Sequence, residues 1–198
     1  MILVAGLGNP GKGYASSRHN IGFIVIDELA KRFGVGLKKR GFRSHYAQES
    51  LEDKKLILLK PDTFMNRSGE AISEAVEFFK IPMKNLIVVY DEMDLPLGNI
   101  KVKVGGGSAG HKGIQSIINS LGDSDFIRVR VGIGKPVQKS EVIDHVLSQF
   151  EKEEKKLAKE LIVRAVDAVI EIVLRGAEGA MNKFNKKPEV ISQPRKCG

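Results

Sequence analysis

The sequence predicts an α/β domain, and three observations carry that prediction. Strand-like and helix-like apolar segments alternate along the chain. One of them, Leu86-Ile87-Val88-Val89-Tyr90, is wholly apolar, as expected of a strand covered on both faces. The length, 198 residues, suits one domain with a full core.

Taken in order, residues 2–7 form a buried strand. From 20 to 33, Ile21, Val25, Leu29 and Phe33 recur at helical spacing, with Asn20 as N-cap and Gly34 as the residue that ends the helix. Residues 45–51 and 56–60 are two strands joined by the turn Glu52-Asp53-Lys54. A second helix over 68–80 places Ile72, Ala75, Val76 and Phe79 on one face, and the strand at 86–90 follows. Residues 100–104 form a strand, followed by a glycine loop and a short helix bearing Ile114, Ile117, Ile118 and Leu121, closed by Gly122. Residues 126–133 alternate as a strand. The last helix spans 151–175, opened by a capping box of Ser148 and Glu151 and laced by Glu160 with Arg164 and Glu171 with Arg175. Periodicity ends at Pro188, so 1–187 is the expected domain and 188–198 a basic, disordered tail.

Charge narrows the partners. The net charge is +8, and the excess is clustered. Lys38, Lys39, Arg40 and Arg43 form one group, Lys101, Lys103, Lys112, Arg128 and Arg130 another, and the tail a third. Residues 151–175 instead hold six acids and six bases. Basic patches on a neutral scaffold suit a polyanion. The absence of tryptophan argues against a stacking platform for single strands. There is no apolar run of 18 residues to span a membrane and no signal-peptide pattern at the start, and the one cysteine, Cys197, builds neither a disulfide framework nor a metal site. The cytoplasm is the default compartment.

Two nucleotide motifs are approached and missed. Gly6-Leu7-Gly8-Asn9-Pro10-Gly11 fits the dinucleotide fingerprint, but the turn continues as loop rather than helix, and Asp27 and Glu28 fall inside a helix instead of at a strand tip. Leu86 to Glu92 resembles a Walker B strand, yet no phosphate-binding loop precedes it. Asp91, Glu92 and Asp94 make at most a weak hard-metal cluster. The glycine loop 105–110 runs into a helix N-terminus, which suits a phosphate or a developing oxyanion, with Lys103 and Lys112 on either side.

The four histidines divide by context. His45 in an edge strand and His145 in a helical stretch are expected to be structural or solvated, whereas His19 precedes a helix and shares the sheet mouth with Asn9, Asn66 and Asp91. One histidine, one carboxylate and two amides suffice for water-mediated acyl hydrolysis: the imidazole takes a proton from water, the carboxylate fixes its tautomer, and the amides hold carbonyl and water. No serine or cysteine occupies a nucleophile elbow.

Five blocks in order now mark a family resemblance: Gly6 to Gly11; Tyr14 with Arg18-His19-Asn20; Thr63-Phe64-Met65-Asn66-Arg67-Ser68-Gly69; Asp91 to Gly98; and Gly105 to His111. With these the chain closely resembles the bacterial-type peptidyl-tRNA hydrolases from residue 1 to about 185. The resemblance implies a single α/β domain around a central mixed, mostly parallel sheet flanked by helices on both faces, a monomer without metal or cofactor. It implies cleavage of the ester joining a peptide to the terminal ribose of tRNA. His19 is then the general base, Asp91 its holder, and Asn9 and Asn66 the positioning amides. Tyr14, Phe64 and Met65 would line the crevice for the 3′ end, Lys103 and Arg130 would clamp the 5′ phosphate, and Asn20 and His111 join the substrate contacts. Lys112 stands where most members carry asparagine, which removes an amide role there and suggests contact with a phosphate of the acceptor stem. The rival from another class is a catalytically silent tRNA- or ribosome-binding relative; an amidase on the same scaffold is a third.

Overall fold

The structure, a computed structural model, describes residues 1–136 and 138–186; the expected tail lies outside the described residues. Seven strands form one sheet in the order β2-β3-β4-β1-β5-β7-β6. They are β1 (Ile2–Gly6), β2 (Lys39–Gly41), β3 (Ser44–Leu51), β4 (Lys54–Pro61), β5 (Leu86–Glu92), β6 (Ile100–Val104) and β7 (Ile127–Gly132). The four central strands are parallel, while β2, β3 and β6 join antiparallel at the two edges. The predicted mixed sheet is thus found, and its apolar centre follows from being covered twice: every residue of β5 is buried.

Alternation along each strand sorts the core onto two faces. Val4, Leu58, Ile87 and Val129 point to the side covered by α1 (Ile21–Arg32) and α5 (Lys155–Phe184). Leu3, Ala5, Ile57, Leu59 and Val88 point to α2 (Ser68–Phe79) and α3 (Lys112–Leu121). α1 presses directly onto the strand ends, and only glycine permits it: a Cβ on Gly22 would strike the backbone of Leu7 and Val89. That contact sets the three-residue 3-10 turn Arg18–Asn20 at the C-terminal mouth of β1 and β5.

Several local expectations are corrected. β2 escapes a pattern search because it is three residues long, charged and at an edge, the usual protection against unwanted strand pairing. The turn between β3 and β4 is tighter than expected, with Lys54 already in β4. The last helix starts at Lys155, because the Ser148 hydroxyl donates to His145 O (2.7 Å) and caps nothing; the carboxylate that reaches back is Glu154, accepting from Glu151 N at 2.8 Å. The helix's expected end at 175 is found, since the backbone leaves the helix at Gly176 (φ 80°), and a further helical stretch not expected from sequence runs on from there to Phe184. A short α4 (Val142–Leu147), unmarked in the sequence beyond a helical stretch around His145, lies between β7 and α5. The outer edge of β6 is closed by Asn185, whose side chain donates to Val102 O (2.9 Å) and accepts from Val102 N (2.7 Å).

Candidate active site

Asp91, near the end of β5, is the centre of the site. It is 3% exposed, and three ring contacts reach it. His19 Nδ1 lies 2.9 Å from both carboxylate oxygens, and His111 Nε2 lies 3.0 Å from Oδ1. Burial alone would push the Asp91 carboxyl up, but His111, through its charge when protonated and its hydrogen bond, and His19, through its hydrogen bond and its charge when protonated, hold it well below the usual carboxylate range. An ionised carboxylate only accepts, so His19 Nδ1 carries a proton and Nε2 is left as its free basic nitrogen.

The second histidine has its tautomer set from behind. His111 is the N-cap of α3, and its Nδ1 accepts from Ile114 N at 3.2 Å. Its proton must therefore sit on Nε2, aimed at Asp91. The close approach that allows this again needs a glycine, since a Cβ on Gly113 would meet Met65 Sδ at 2.6 Å and Leu7 Cδ1 at 2.9 Å. The Tyr90 ring stands edge-on to His111 at 4.9 Å and walls it from behind. The family resemblance implies His111 as a substrate contact; its place between a helix cap and a buried carboxylate has no signature beyond its position after a glycine loop.

Asn9 and Asn66 flank the pair differently. Asn9 Oδ1 accepts from Met65 N at 2.8 Å, so its amide presents NH₂ as a donor. Its backbone is held at both ends by Asn20, which accepts from Asn9 N (2.8 Å) and donates to Asn9 O (2.9 Å). Asn20 is consequently buried and does not cap α1 with its side chain, a correction to the expected N-cap. Asn66 is exposed on the rim.

These groups line a cleft of about 590 Å³ with Phe64, Met65, Met93 and Lys112, closed on one side by Ile143, Val146 and Leu147 of α4. Tyr14, Asn20, Lys103 and Arg130 are outside that lining. A larger hollow of about 770 Å³ between Met1, Lys84 and Gly176 lies at the other end of the sheet, away from the histidines. Lys103 and Arg130 occupy β6 and β7 on the face opposite α5, diagonal neighbours across the ladder. Arg130 is held by Glu92, at 2.8 Å from Nε and 2.6 Å from Nη2. Arg128, counted among the surface cations from sequence, is buried: its guanidinium donates to Gly107 O (2.6 Å), to Gly106 O and to Ser124 O, and so staples the glycine loop.

The suspected hard-metal trio comes apart. Asp91 serves the imidazoles, Glu92 holds Arg130, and Asp94 pairs with Lys135 at 2.7 Å. His19, Asp91 and His111 do bring ligand atoms within 4.8 Å of one another. A metal on His111 Nε2 would have to drive the proton to Nδ1, against the Ile114 N–H. The arrangement fits proton transfer better than metal ligation.

Arg18 and Glu154 join the site to the far end of the chain, a pairing across 136 residues that sequence gives no means to find. Arg18 is buried, bonded through its guanidinium to the Glu154 carboxylate and stacked over Phe150 at 4.8 Å, while its backbone N–H donates to Ser148 O at 2.9 Å. The residue preceding the basic histidine thereby pins the segment that follows α4.

Fold and site together define an α/β protein whose histidine–carboxylate pair, flanked by two amides at a sheet mouth, is equipped to activate water. The peptidyl-tRNA hydrolase family model matches residues 3–192. A peptidyl-tRNA hydrolase of Thermoanaerobacter sp. (strain X514) is 52% identical over 185 residues, covering 93% of this chain and all of the relative, and one of Geobacillus thermodenitrificans is 47% identical over 94% of this chain and all of the relative. Among solved structures, a peptidyl-tRNA hydrolase in complex with N-propanol superposes with a TM-score of 0.89 at 36% identity, covering 95% of this chain and 96% of that one. The Acinetobacter baumannii peptidyl-tRNA hydrolase gives 0.88 at 36% identity, covering 93% and 94%. This chain belongs to the peptidyl-tRNA hydrolase family.

Proposed function

We propose that this protein hydrolyses the ester between a peptide and the terminal ribose of tRNA, with His19 as general base. The observation that carries this is the hydrogen-bond chain from Ile114 N through His111 and Asp91 to His19, which leaves one free imidazole nitrogen on a residue lining the cleft. Water in the cleft gives a proton to His19 Nε2 as its oxygen attacks the ester carbonyl; Asp91 steadies the imidazolium. The Asn9 NH₂ and the Asn66 amide hold the carbonyl and the water. Collapse breaks the acyl–oxygen bond, and His19 returns its proton to the ribose oxygen, so that ester and water become peptide acid and tRNA hydroxyl. Release of N-acetyl-aminoacyl groups from charged tRNA tests this, and unchanged rates in EDTA are expected; loss of activity that zinc restores would move the chemistry to a metal.

Lys103 and Arg130 fit the role of phosphate clamp for the tRNA 5′ end. Replacing Lys103 by alanine is expected to raise KM for whole tRNA and flatten the log–log salt dependence by about one unit. Arg130 is a poorer probe, since its removal strands the buried Glu92. A minimal substrate without the 5′ phosphate should respond little; equal losses on both would assign Lys103 another task.

Lys112 is the first residue of α3 and exposed at the cleft, a cation in a helix turn that favours anions. Its use is therefore phosphate contact at the acceptor end. Lys112→Asn is expected to gain about 0.3–1 kcal/mol in stability. It should keep kcat within roughly tenfold and bind tRNA more weakly at low salt, the deficit shrinking as salt rises. Measuring kcat and KM at two ionic strengths decides it; a large fall in kcat alone would place Lys112 in the chemistry.

No helix among the described residues is long and apolar enough to cross a membrane. The substrate is taken as peptidyl-tRNA, met at its acceptor stem and 3′ end, by a cytoplasmic monomer.

A further inference from the structure

One acid stands among the cations assigned to the tRNA 5′ phosphate, and its charge has the wrong sign for that task. Glu92 ends β5 and is 7% exposed. Its Oε2 accepts from Arg130 Nε at 2.8 Å and from Nη2 at 2.6 Å. A carboxylate in this place weakens the pull of the neighbouring cations on any phosphate. Replacing a buried ion pair by apolar residues of similar volume often leaves stability unchanged, so stability alone does not explain the acid.

Geometry supplies a reason. Arginine ends in a planar fork on a long stem, and the fork reads an oxyanion well only at a set angle. Nε and Nη2 form one edge of the Arg130 guanidinium, and Glu92 holds that edge. Glu92 is itself anchored: Oε1 accepts from Asp94 N at 2.9 Å, and its backbone carbonyl accepts from Ile133 N at 3.1 Å. Nη1 is different. It has no partner among the described residues and is not sealed from solvent. Lys101 is paired directly with Arg130 across the ladder, Lys103 lies diagonal to it, and both are exposed.

We propose that Glu92 is a positioning residue: it holds Arg130 with Nη1 free for the 5′ phosphate, and it lowers the general attraction of this surface for RNA. A guanidinium already held at its working angle loses less freedom when the phosphate arrives. The same carboxylate leaves the group with one positive charge fewer than its cations alone would give, so phosphates that merely pass nearby are held less. Selection for the terminal phosphate therefore rises while bulk affinity falls. This role rests on the phosphate clamp assigned above to Lys103 and Arg130.

The test compares N-acetyl-aminoacyl-tRNA with and without its 5′ phosphate, on the wild type, Glu92→Gln and Glu92→Asp. Within each protein the ratio of the two kcat/KM values isolates phosphate recognition, because a disturbance of the neighbouring Asp91 slows both substrates alike. In the wild type that ratio is expected to be about tenfold, as for a hydrogen bond to a charged group. Both variants should lower it by about threefold or more. If the glutamine oxygen faces Asp94 N, its NH₂ meets the guanidinium donor against donor; if it faces Arg130, the glutamine loses its own anchor. Aspartate keeps the charge but is one methylene shorter, so it cannot meet both partners. On tRNA without the 5′ phosphate the variants part. Glu92→Gln, having lost a negative charge, should lower KM at low salt, the gain fading as salt rises, whereas Glu92→Asp should not. Misfolding would raise KM on both substrates and cannot give that result. A ratio left at the wild-type value in both variants would overturn the role of Glu92. A wild-type ratio near one would overturn it together with the clamp, and hydrolysis of neither substrate would sink the ester-hydrolase function beneath both.

Discussion

Replacement of His19 by alanine is expected to lower kcat by about 10²–10⁴, the usual loss when a positioned general base is removed, with tRNA binding largely kept. The side chain is 14% exposed, and its partner Asp91 retains His111 as a donor when His19 is gone, so the fold has little reason to fail. The cations proposed for tRNA lie on other elements, β6, β7 and α3, which separates chemistry from affinity. Single-turnover rates with N-acetyl-aminoacyl-tRNA measure the first, and a salt-controlled binding assay the second. Added imidazole should recover part of the rate in His19→Ala, because the variant leaves a space beside an intact Asp91. A variant within about threefold of wild type would remove His19 from the base role.

Much of this site was legible in the sequence, and the reason is local. Asn9, His19, Asn66 and Asp91 each follow or precede a segment whose period is unmistakable, so each could be put at a strand or helix end, and strand ends of a parallel sheet gather at one mouth. Side-chain partners were less legible. Arg18 meets Glu154 and Asn185 meets the β6 edge across long stretches of chain, and no spacing rule reaches that far. Asn20 illustrates a competition: residue type and place suit an N-cap, yet the Asn9 backbone offers both a donor and an acceptor, and the side chain takes those instead. Arg128 illustrates another, since alternation puts it beside Lys103 on the same face, but the glycine loop folds over it and supplies carbonyls. The last helix breaks at Gly176 as a glycine stop requires, but the return that follows, a further helical stretch in which Lys183 meets Glu171 at 2.8 Å, has no mark in the sequence.

Asp91→Asn is the other substitution with a large expected effect, also a loss of about 10²–10⁴ in kcat. From sequence alone it looks milder than His19→Ala, because water or the new amide could still orient the ring. Burial changes that, since a residue 3% exposed has little water to call on. The amide must choose how to face two imidazoles. His111 is fixed as a donor by the Ile114 N–H, so the amide oxygen turns to it. The NH₂ then takes the place of the other oxygen, 2.9 Å from His19 Nδ1. The amide oxygen, in the place of Oδ1, stands equally close, so oxygen and NH₂ compete for Nδ1; whenever the NH₂ donates there, Nδ1 becomes the acceptor and the His19 proton moves to Nε2, the atom that has to take one from water. Turning the amide the other way restores His19 but forces His111 off its tautomer and costs α3 its cap. In both cases the charge that steadied the imidazolium is gone. Stability carries a second signature. The Asp91 carboxyl is held below its ordinary range in the folded protein, so its contribution is present above the unfolded value, about 3.9, and is lost as pH falls toward the folded one. The stability gap between wild type and Asp91→Asn should therefore be widest near neutrality and begin to narrow below about pH 4. Urea unfolding across that range, paired with kcat at neutral pH, checks both; a constant gap with near-normal kcat would mean that Asp91 is neither ionised nor the partner that sets His19.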